Sequence, residues 1–283
     1  MRICSVLFLT LLIVGCESEL DILPPSSEWR IVVEGYLASS DSVLIRIDES
    51  RNSFDEYQTS SQRGKNAIVH LSYQGAVHTL TEYTGTNPLI QRNGKSLDPT
   101  FYFLPRSVFV IPDSGSLNLD VIYGGKQVDA SCRVPAKIKI LDFHTVLITQ
   151  WKKDVVLTAA FPVGISYYYL RGKSVGTFQS KPAAVTFMSE LIKVTGDGKP
   201  KTIHIVNNNG GVSFTSEEKQ ILVLGSTSKE YYNFYQVLRS QQTDTDRGLD
   251  FFGREATEIS SNINGGFGIF TIISDDTMSV DIP

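Results

Sequence analysis

Two pairs of alternating segments, each joined by a two-residue turn, constrain the fold of this chain most. Asn66 to Tyr73 and Ala76 to Thr81 flank Gln74-Gly75, and Ser116 to Tyr123 and Lys126 to Arg133 flank Gly124-Gly125. A period of two sends side chains alternately to opposite faces of a pleated strand, and a two-residue loop with glycine closes an antiparallel hairpin. Arg30 to Leu37 is rich in β-branched residues, and Ser42 to Asp48 puts Val43, Ile45 and Ile47 on one face. Short strands at this spacing, broken by Asn, Gly and Pro, predict an immunoglobulin-like β-sandwich over 28–134. Ser50 to Lys65 and Thr84 to Pro99 carry no periodicity and are expected to be long surface loops.

Pro135 opens a second unit, 135–283, whose expected strands are Lys137 to Phe143, Val155 to Phe161, Ser166 to Arg171, Thr202 to Val206 and Ile221 to Leu224. One helix interrupts them. Thr227-Ser228-Lys229-Glu230 has the form of a capping box, and Tyr231, Phe234, Tyr235 and Leu238 follow at helical spacing, predicting a helix over 228–242. That spacing already gives the aromatic stripe a packing role, so it reads as core rather than as a ligand platform. The fold class is therefore mainly β: an immunoglobulin-like sandwich followed by a second sandwich or barrel-like domain with one amphipathic helix. No solenoid or propeller period is present.

The N-terminus has the layout of a secretory signal: Met1-Arg2, a mostly apolar run from Ser5 to Val14, then Gly15-Cys16. That run is too short to cross a hydrocarbon core, which takes roughly 20 helical residues. Ile13-Val14-Gly15-Cys16 resembles a bacterial lipobox, which implies cleavage of a signal peptide over 1–15 and lipid attachment at Cys16; the alternative is an ordinary cleaved signal with an incidental cysteine. A head of several acyl chains anchors stably, because each buried methylene adds about 0.8 kcal/mol of membrane affinity. Residues 16–27 then form a tether. Its Glu17, Glu19 and Asp21 look like the acidic export signal of surface lipoproteins, or are simply a solvated linker. Pro24-Pro25-Ser26-Ser27 is a semi-rigid spacer.

A formal charge of −4 argues against a nucleic-acid partner. Of three cysteines, Cys4 leaves with the signal and Cys16 is the lipid site, so Cys132 alone remains and no intrachain disulfide is possible. In Val128 to Val134 polar and apolar residues alternate, placing Cys132 on the buried face as a small core residue.

Several motifs invite chemistry. Gly172-Lys173-Ser174-Val175-Gly176 matches a nucleophile elbow, but an elbow needs a strand running into a helix, and no helical period follows before Pro182. A hairpin is the expected structure there. His70 and His78 flank a two-residue turn, so His70 faces Thr79, His78 faces Leu71, and the two lie on opposite faces of the ladder. His144 and His204 have no ligand-rich neighbours in sequence, and a zinc site is not expected. Asp244, Asp246 and Asp250 place carboxylates at near-alternate positions, with Glu255 beyond, and are a weak candidate for calcium; Leu249 stands where an EF-hand loop needs glycine. The alternative is an acidic solvated turn. In Glu258 to Phe270, Gly265 and Gly266 are expected to supply positive φ in a turn and Gly268 a bulge or a close backbone approach, because the run after them reads as a strand rather than a phosphate-binding helix.

Strand Ile221 to Leu224, the helix with Tyr231-Tyr232-Asn233-Phe234-Tyr235, then Ser261-Asn262-Ile263 and Gly265 to Phe270 resemble an uncharacterised family of Bacteroidota outer-membrane lipoproteins. Cys16 with its acidic follow-on and Ile31-Val32-Val33-Glu34-Gly35 look like that family too. The resemblance implies a domain of unknown function, often encoded beside TonB-dependent receptors. From it follows the expected function: a lipid-anchored binding or accessory subunit of a TonB-dependent uptake system, on the cell-surface face of the outer membrane, with the periplasmic face as the alternative. A structural or adhesive surface lipoprotein is the second reading, and a hydrolase with an unrecognised site the third. No catalytic residue, cofactor or metal is assigned; the partners expected are the membrane, through Cys16, and a TonB-dependent receptor, with a small-molecule, glycan or peptide ligand left open.

Overall fold

The computed structural model describes residues 28–38, 42–50, 63–83, 91–92, 95–96, 100–149, 152–178, 181–206, 218–245 and 260–282. Its first strands are β1 (Ile31–Ala38), β2 (Val43–Glu49), β3 (Ile68–Tyr73), β4 (Ala76–Thr79), β5 (Thr81–Glu82), β6 (Gln91–Arg92), β7 (Lys95–Ser96), β8 (Thr100–Leu104), β9 (Ser116–Tyr123) and β10 (Lys126–Arg133). They form one ladder β1-β2-β8-β5 and a second ladder β10-β9-β3-β4. The alternation read from the sequence decides which faces are buried. Ile31, Val33, Leu37, Val43, Ile45 and Ile47 are fully buried on the first ladder, and Val69, Leu71, Leu117 and Val121 on the second. The result is the expected immunoglobulin-like sandwich.

Both predicted hairpins form. Gln74 and Gly75 have φ of 49° and 84°, Gly124 and Gly125 of 57° and 75°. Positive φ at both central residues is the type I′ turn, whose twist matches that of the flanking strands. Within the segment expected to be a loop at 84–99, β6 pairs with β7, a short ladder that periodicity over two residues cannot reveal.

The later elements are β11 (Ile140–Thr149), β12 (Lys152–Ala160), β13 (Gly164–Phe178), β14 (Lys181–Gly196), β15 (Pro200–Ile205), β16 (Glu218–Thr227), the helix α1 (Lys229–Thr245) and β17 (Phe267–Ile282). A three-stranded sheet, β11-β12-β15, faces the ladder β14-β13-β16-β17. Phe143, Val155, Leu157 and Phe161 from the former share one core with Tyr168, Leu170, Leu222 and Leu224 from the latter. This second unit is also a sandwich.

The two sandwiches share β17. Phe267 to Ile273 pairs in parallel with Val32 to Ala38, and Ser274 to Ile282 then pairs antiparallel with Ser226 back to Glu218. One eight-stranded sheet, β14-β13-β16-β17-β1-β2-β8-β5, therefore runs through both. Dividing the chain at 134/135 assigns all of β17 to the second unit, whereas its first half is a strand of the first. A strand covered on both faces reads as an unbroken apolar run, and Gly268 to Asp275 is buried at every position. Ile269 and Ile273 lie under α1. Phe270 lies beside Gly35, where a methyl group would come within 3.1 Å of the Phe270 ring.

The glycines before β17 divide the work differently from the sequence expectation. Gly265 has φ of 78°, while Gly266 has no positive φ; a side chain at Gly266 would sit 2.6 Å from the Ile31 carbonyl oxygen. Gly266 is thus glycine for close approach, not for turn geometry. Gly268 combines both demands, with φ of 114° and Val33 backbone where a Cβ would go.

Candidate functional site

A surface suited to hold a partner is the loop 105–115 between β8 and β9, at the end of the first sandwich away from the start of β1. Pro105 cannot continue the ladder, and its carbonyl instead accepts hydrogen bonds from the amides of Val108 (2.9 Å) and Phe109 (3.1 Å). The Arg106 amide donates to Ser42 Oγ at 3.1 Å, tying the turn to the start of β2. From there the chain alternates. Phe109 and Ile111 are buried, and Val108 and Val110 point outward, 59% and 60% exposed.

The far end of the loop is equally fixed. The Tyr73 hydroxyl donates to the Ser114 carbonyl at 3.1 Å, and the Gly115 carbonyl accepts the Val134 amide at 2.9 Å. Gly115 has φ of 100°, and the Tyr73 ring lies 2.9 Å from where its Cβ would be. The His78 ring packs on Phe109 with centroids 4.9 Å apart, joining the loop to the β3–β4 hairpin, where Val77 is 62% exposed. Three valines thus stand in water on a backbone anchored by buried Phe109 and half-buried Tyr73 and His78. Binding to such a surface loses little side-chain or loop entropy, and its apolar area is gained back on contact. Periodicity did not point to Val108 and Val110, because Val108-Phe109-Val110-Ile111 is apolar at every position and shows no face until Phe109 and Ile111 are buried.

The aromatic stripe of α1 has a packing role. Ser228 Oγ accepts the Tyr231 amide at 3.1 Å and caps the helix, while Thr227 ends β16, one residue from the cap expected. Tyr231 and Phe234 are buried with Leu191, Ile269 and Ile273, and Tyr169, Tyr232, Tyr235 and Leu238 close around them. Tyr36 on β1 meets Tyr231 edge-on at 5.4 Å, and Tyr167 on β13 meets Tyr232 at 5.0 Å. The helix lies on the outer face of the shared sheet and touches strands of both sandwiches.

Beside Tyr36, on the same outward face of β1 and β2, Arg46 holds Glu34 at 3.1 Å and Asp48 at 2.6 Å, and Arg63 reaches Asp48 at 3.2 Å. Burial pushes the Tyr36 phenol well above its ordinary range, with Glu34 adding to the effect and Arg46 opposing it. Burial does the same to Tyr231, with Tyr36 as the next contribution. Both protons are held more tightly in the folded than in the unfolded chain. The stability this represents is complete below pH of about 10, where unfolded tyrosine starts to ionise, and is lost as pH rises toward the folded values. Stability measured by urea titration should therefore drop above about pH 10, and Tyr231→Phe should make that drop shallower. An unchanged slope in the variant would disprove the assignment.

The other sequence candidates separate. Cys16 lies outside the described residues, as do Asp246 and Asp250, and Asp244 belongs to the last turn of α1 rather than to a loop. Helix α1 continues to Thr245, so the first two residues of the expected acidic turn, Asp244 and Thr245, are helical. Ser174 is 2% exposed in the middle of β13, paired with Val185 and Gln220, and the expected hairpin at Gly172 to Gly176 is instead a β-bulge at Gly172/Lys173. The reversal comes later, where Phe178 pairs with Lys181. His70 faces Thr79, whose hydroxyl lies 3.0 Å from His70 Nδ1, and His78 faces Leu71. His204 Nε2 lies 3.2 Å from Asp154 Oδ2, a diagonal contact across β12 and β15 that sequence neighbours do not reveal. Cys132 is buried, and its thiol is pushed up by burial. Among the described residues no group of three His, Cys, Asp or Glu is placed to share a metal ion, and no helix is long and apolar enough to cross a membrane.

Comparison with known proteins gives a family without a function. A family model described as a domain of unknown function (DUF4249) matches residues 17–279. Among curated proteins, none matches the chain. Of solved structures, it is similar to a DUF4785 family protein from Legionella pneumophila subsp. pneumophila str. Philadelphia 1, at 14% identity and a TM-score of 0.25, over 69% of this chain and 50% of that one. It is also similar to the FN1-FN3 domains of chicken CNTN1, at 11% identity and a TM-score of 0.27, over 89% of this chain and 66% of that one. The chain thus spans half the length of the first and under two thirds of the second, and neither likeness bears on activity.

Proposed function

The chain belongs to the DUF4249 family, and we propose that it is an outer-membrane lipoprotein, anchored through Cys16, that acts as a binding or accessory subunit of a TonB-dependent uptake system. The observation that carries this reading is the fixed loop 105–115 with Val108 and Val110 exposed on it. An apolar pair held in water by buried Phe109 and Ile111 fits protein contact. The lipobox-like Ile13 to Cys16 supports the anchor, and the resemblance to lipoproteins encoded beside TonB-dependent receptors supports the partner.

Gentle solubilisation of outer membranes and purification through a C-terminal tag tests it. The wild-type chain should carry a TonB-dependent receptor with it, and Val108→Asp combined with Val110→Asp should reduce the recovered receptor at least about tenfold, since two desolvated charges at an interface cost more than 1.4 kcal/mol. Both side chains are exposed, so the variant should melt with the wild type. A wild-type chain that emerges alone, or a variant that retains the receptor, would overturn the proposal.

A further inference from the structure

We infer that the end of the first sandwich where β1 begins is seated on the lipid surface, so that the shared sheet stands away from the bilayer with the C-terminal end of β17 far from it. The inference rests on the reading of Cys16 as the anchor, and adds to it which face of the protein the membrane meets. Between Cys16 and the start of the fold at Arg30 lie only Glu17 to Trp29. Thirteen residues reach at most about 45 Å when fully extended and about 20 Å as a flexible coil. Strand β17 starts beside Val32 and ends at Ile282, roughly 50 Å away at about 3.3 Å per residue. The anchor therefore holds one end of the molecule near the lipid and leaves the other free.

The side chains gathered at that end suit the interface. The Arg30 guanidinium lies 4.9 Å above the ring of Phe267, which is 38% exposed. Ile68 and Ile122, directly paired between β3 and β9, are exposed at the same end, next to the Gly124-Gly125 turn. The turn carrying Lys65 is brought there by Gly64, which packs on the Ile47 backbone. Phe267 under Arg30 on the outer face of the first ladder, and Ile68 with Ile122 on the outer face of the second, flank this end from both sides with Lys65 at its turn, and apolar bodies with charged tips of this kind settle at the headgroup boundary. Among the described acids at this end, Glu49 accepts the Tyr123 hydroxyl at 2.5 Å, Asp48 is paired with Arg46 and Arg63, Asp129 accepts from Asn264 Nδ2 at 3.1 Å, Glu82 pairs in register with Tyr102, and Glu28 precedes Arg30 on the tether side.

The test uses the full chain, lipidated, in vesicles of phosphatidylcholine with and without phosphatidylglycerol. A fluorophore is placed at Lys65→Cys or, as the distal control, at Lys219→Cys, which pairs with Asp281 near the end of β17. Cys132 is buried and Cys16 blocked, so labelling is specific. Quenching by brominated lipid should be at least about threefold stronger at position 65 than at 219, and Phe267→Ala with Ile68→Ser should narrow the gap. Equal quenching means the molecule lies flat, stronger quenching at 219 means it is inverted, and none at either means the tether holds it clear; each overturns the inference. Incorporation of labelled palmitate at Cys16 is read separately. If it is absent the anchor reading fails, and co-sedimentation of the unlipidated chain with the same vesicles decides the seat: staying in the supernatant overturns it.

Discussion

Gly268→Ala is expected to destabilise the protein by about 3–5 kcal/mol. Two costs add at this position. The backbone sits at φ of 114°, where an L-residue with a Cβ is strained, and the new methyl would overlap the backbone of Val33 on the neighbouring strand. Strain alone has an internal control. Gly125 has φ of 75° with nothing within 4 Å of the position its Cβ would take, so Gly125→Ala should cost only about 1–2 kcal/mol. The excess at Gly268 measures the clash, and the clash exists only because β17 lies against β1. Urea titration of both variants checks it; equal losses at the two glycines would mean that the parallel pairing of β1 with β17 is not present in solution.

Asn262→Ala should cost about 2–4 kcal/mol, for a different reason. Along a strand the amide and carbonyl of one residue point to the same side, and those of the next residue to the other. Phe270 turns its pair away from β1, where no strand lies to receive it. The Asn262 side chain fills the place of that strand: Oδ1 accepts the Phe270 amide at 2.8 Å and Nδ2 donates to the Phe270 carbonyl at 2.7 Å. Phe270 is fully buried, so truncating Asn262 leaves two backbone groups without partners away from water. The neighbouring Asn264 makes a lesser bond, to Asp129 Oδ1 at 3.1 Å at an exposed site, and Asn264→Ala should cost under about 1 kcal/mol. A loss at position 262 no greater than that at 264 would contradict the role assigned to it.

These two residues also show where sequence reasoning stops. The hairpins at Gln74-Gly75 and Gly124-Gly125 were legible because turn chemistry and strand alternation sit side by side in the chain. The helix was legible from its cap and its aromatic spacing, although its end was not: Asp244 gives no stop signal, and α1 runs on to Thr245. The sharing of β17 was not legible, since Val32 and Phe267 are far apart in sequence and no local pattern encodes their pairing. Strand β14 escaped notice because Gly172 to Gly176 looks like a turn and Pro182 like a break, while the structure absorbs the first as a bulge and the second at the start of a strand. Gly266 was placed on the right loop for the wrong reason, its demand being space rather than dihedral angle. At the proposed contact surface, the residues that anchor the loop and those exposed on it are all apolar, so only burial separates Phe109 and Ile111 from Val108 and Val110.

A shared strand couples the two sandwiches, and under the proposed anchoring through Cys16 that coupling is what gives the surfaces away from the tether a set direction. The most direct test of that claim is amide hydrogen exchange along β17 in the native protein. Amides of Ile269 to Ile273, which belong to the first sandwich, and of Ser274 to Met278, which belong to the second, should be protected to the same extent and should lose protection together in Gly268→Ala. Protection that differs between the two halves, or that survives in the second half when the first is lost, would mean that the sandwiches open independently and that the single body described here is not the molecule in solution.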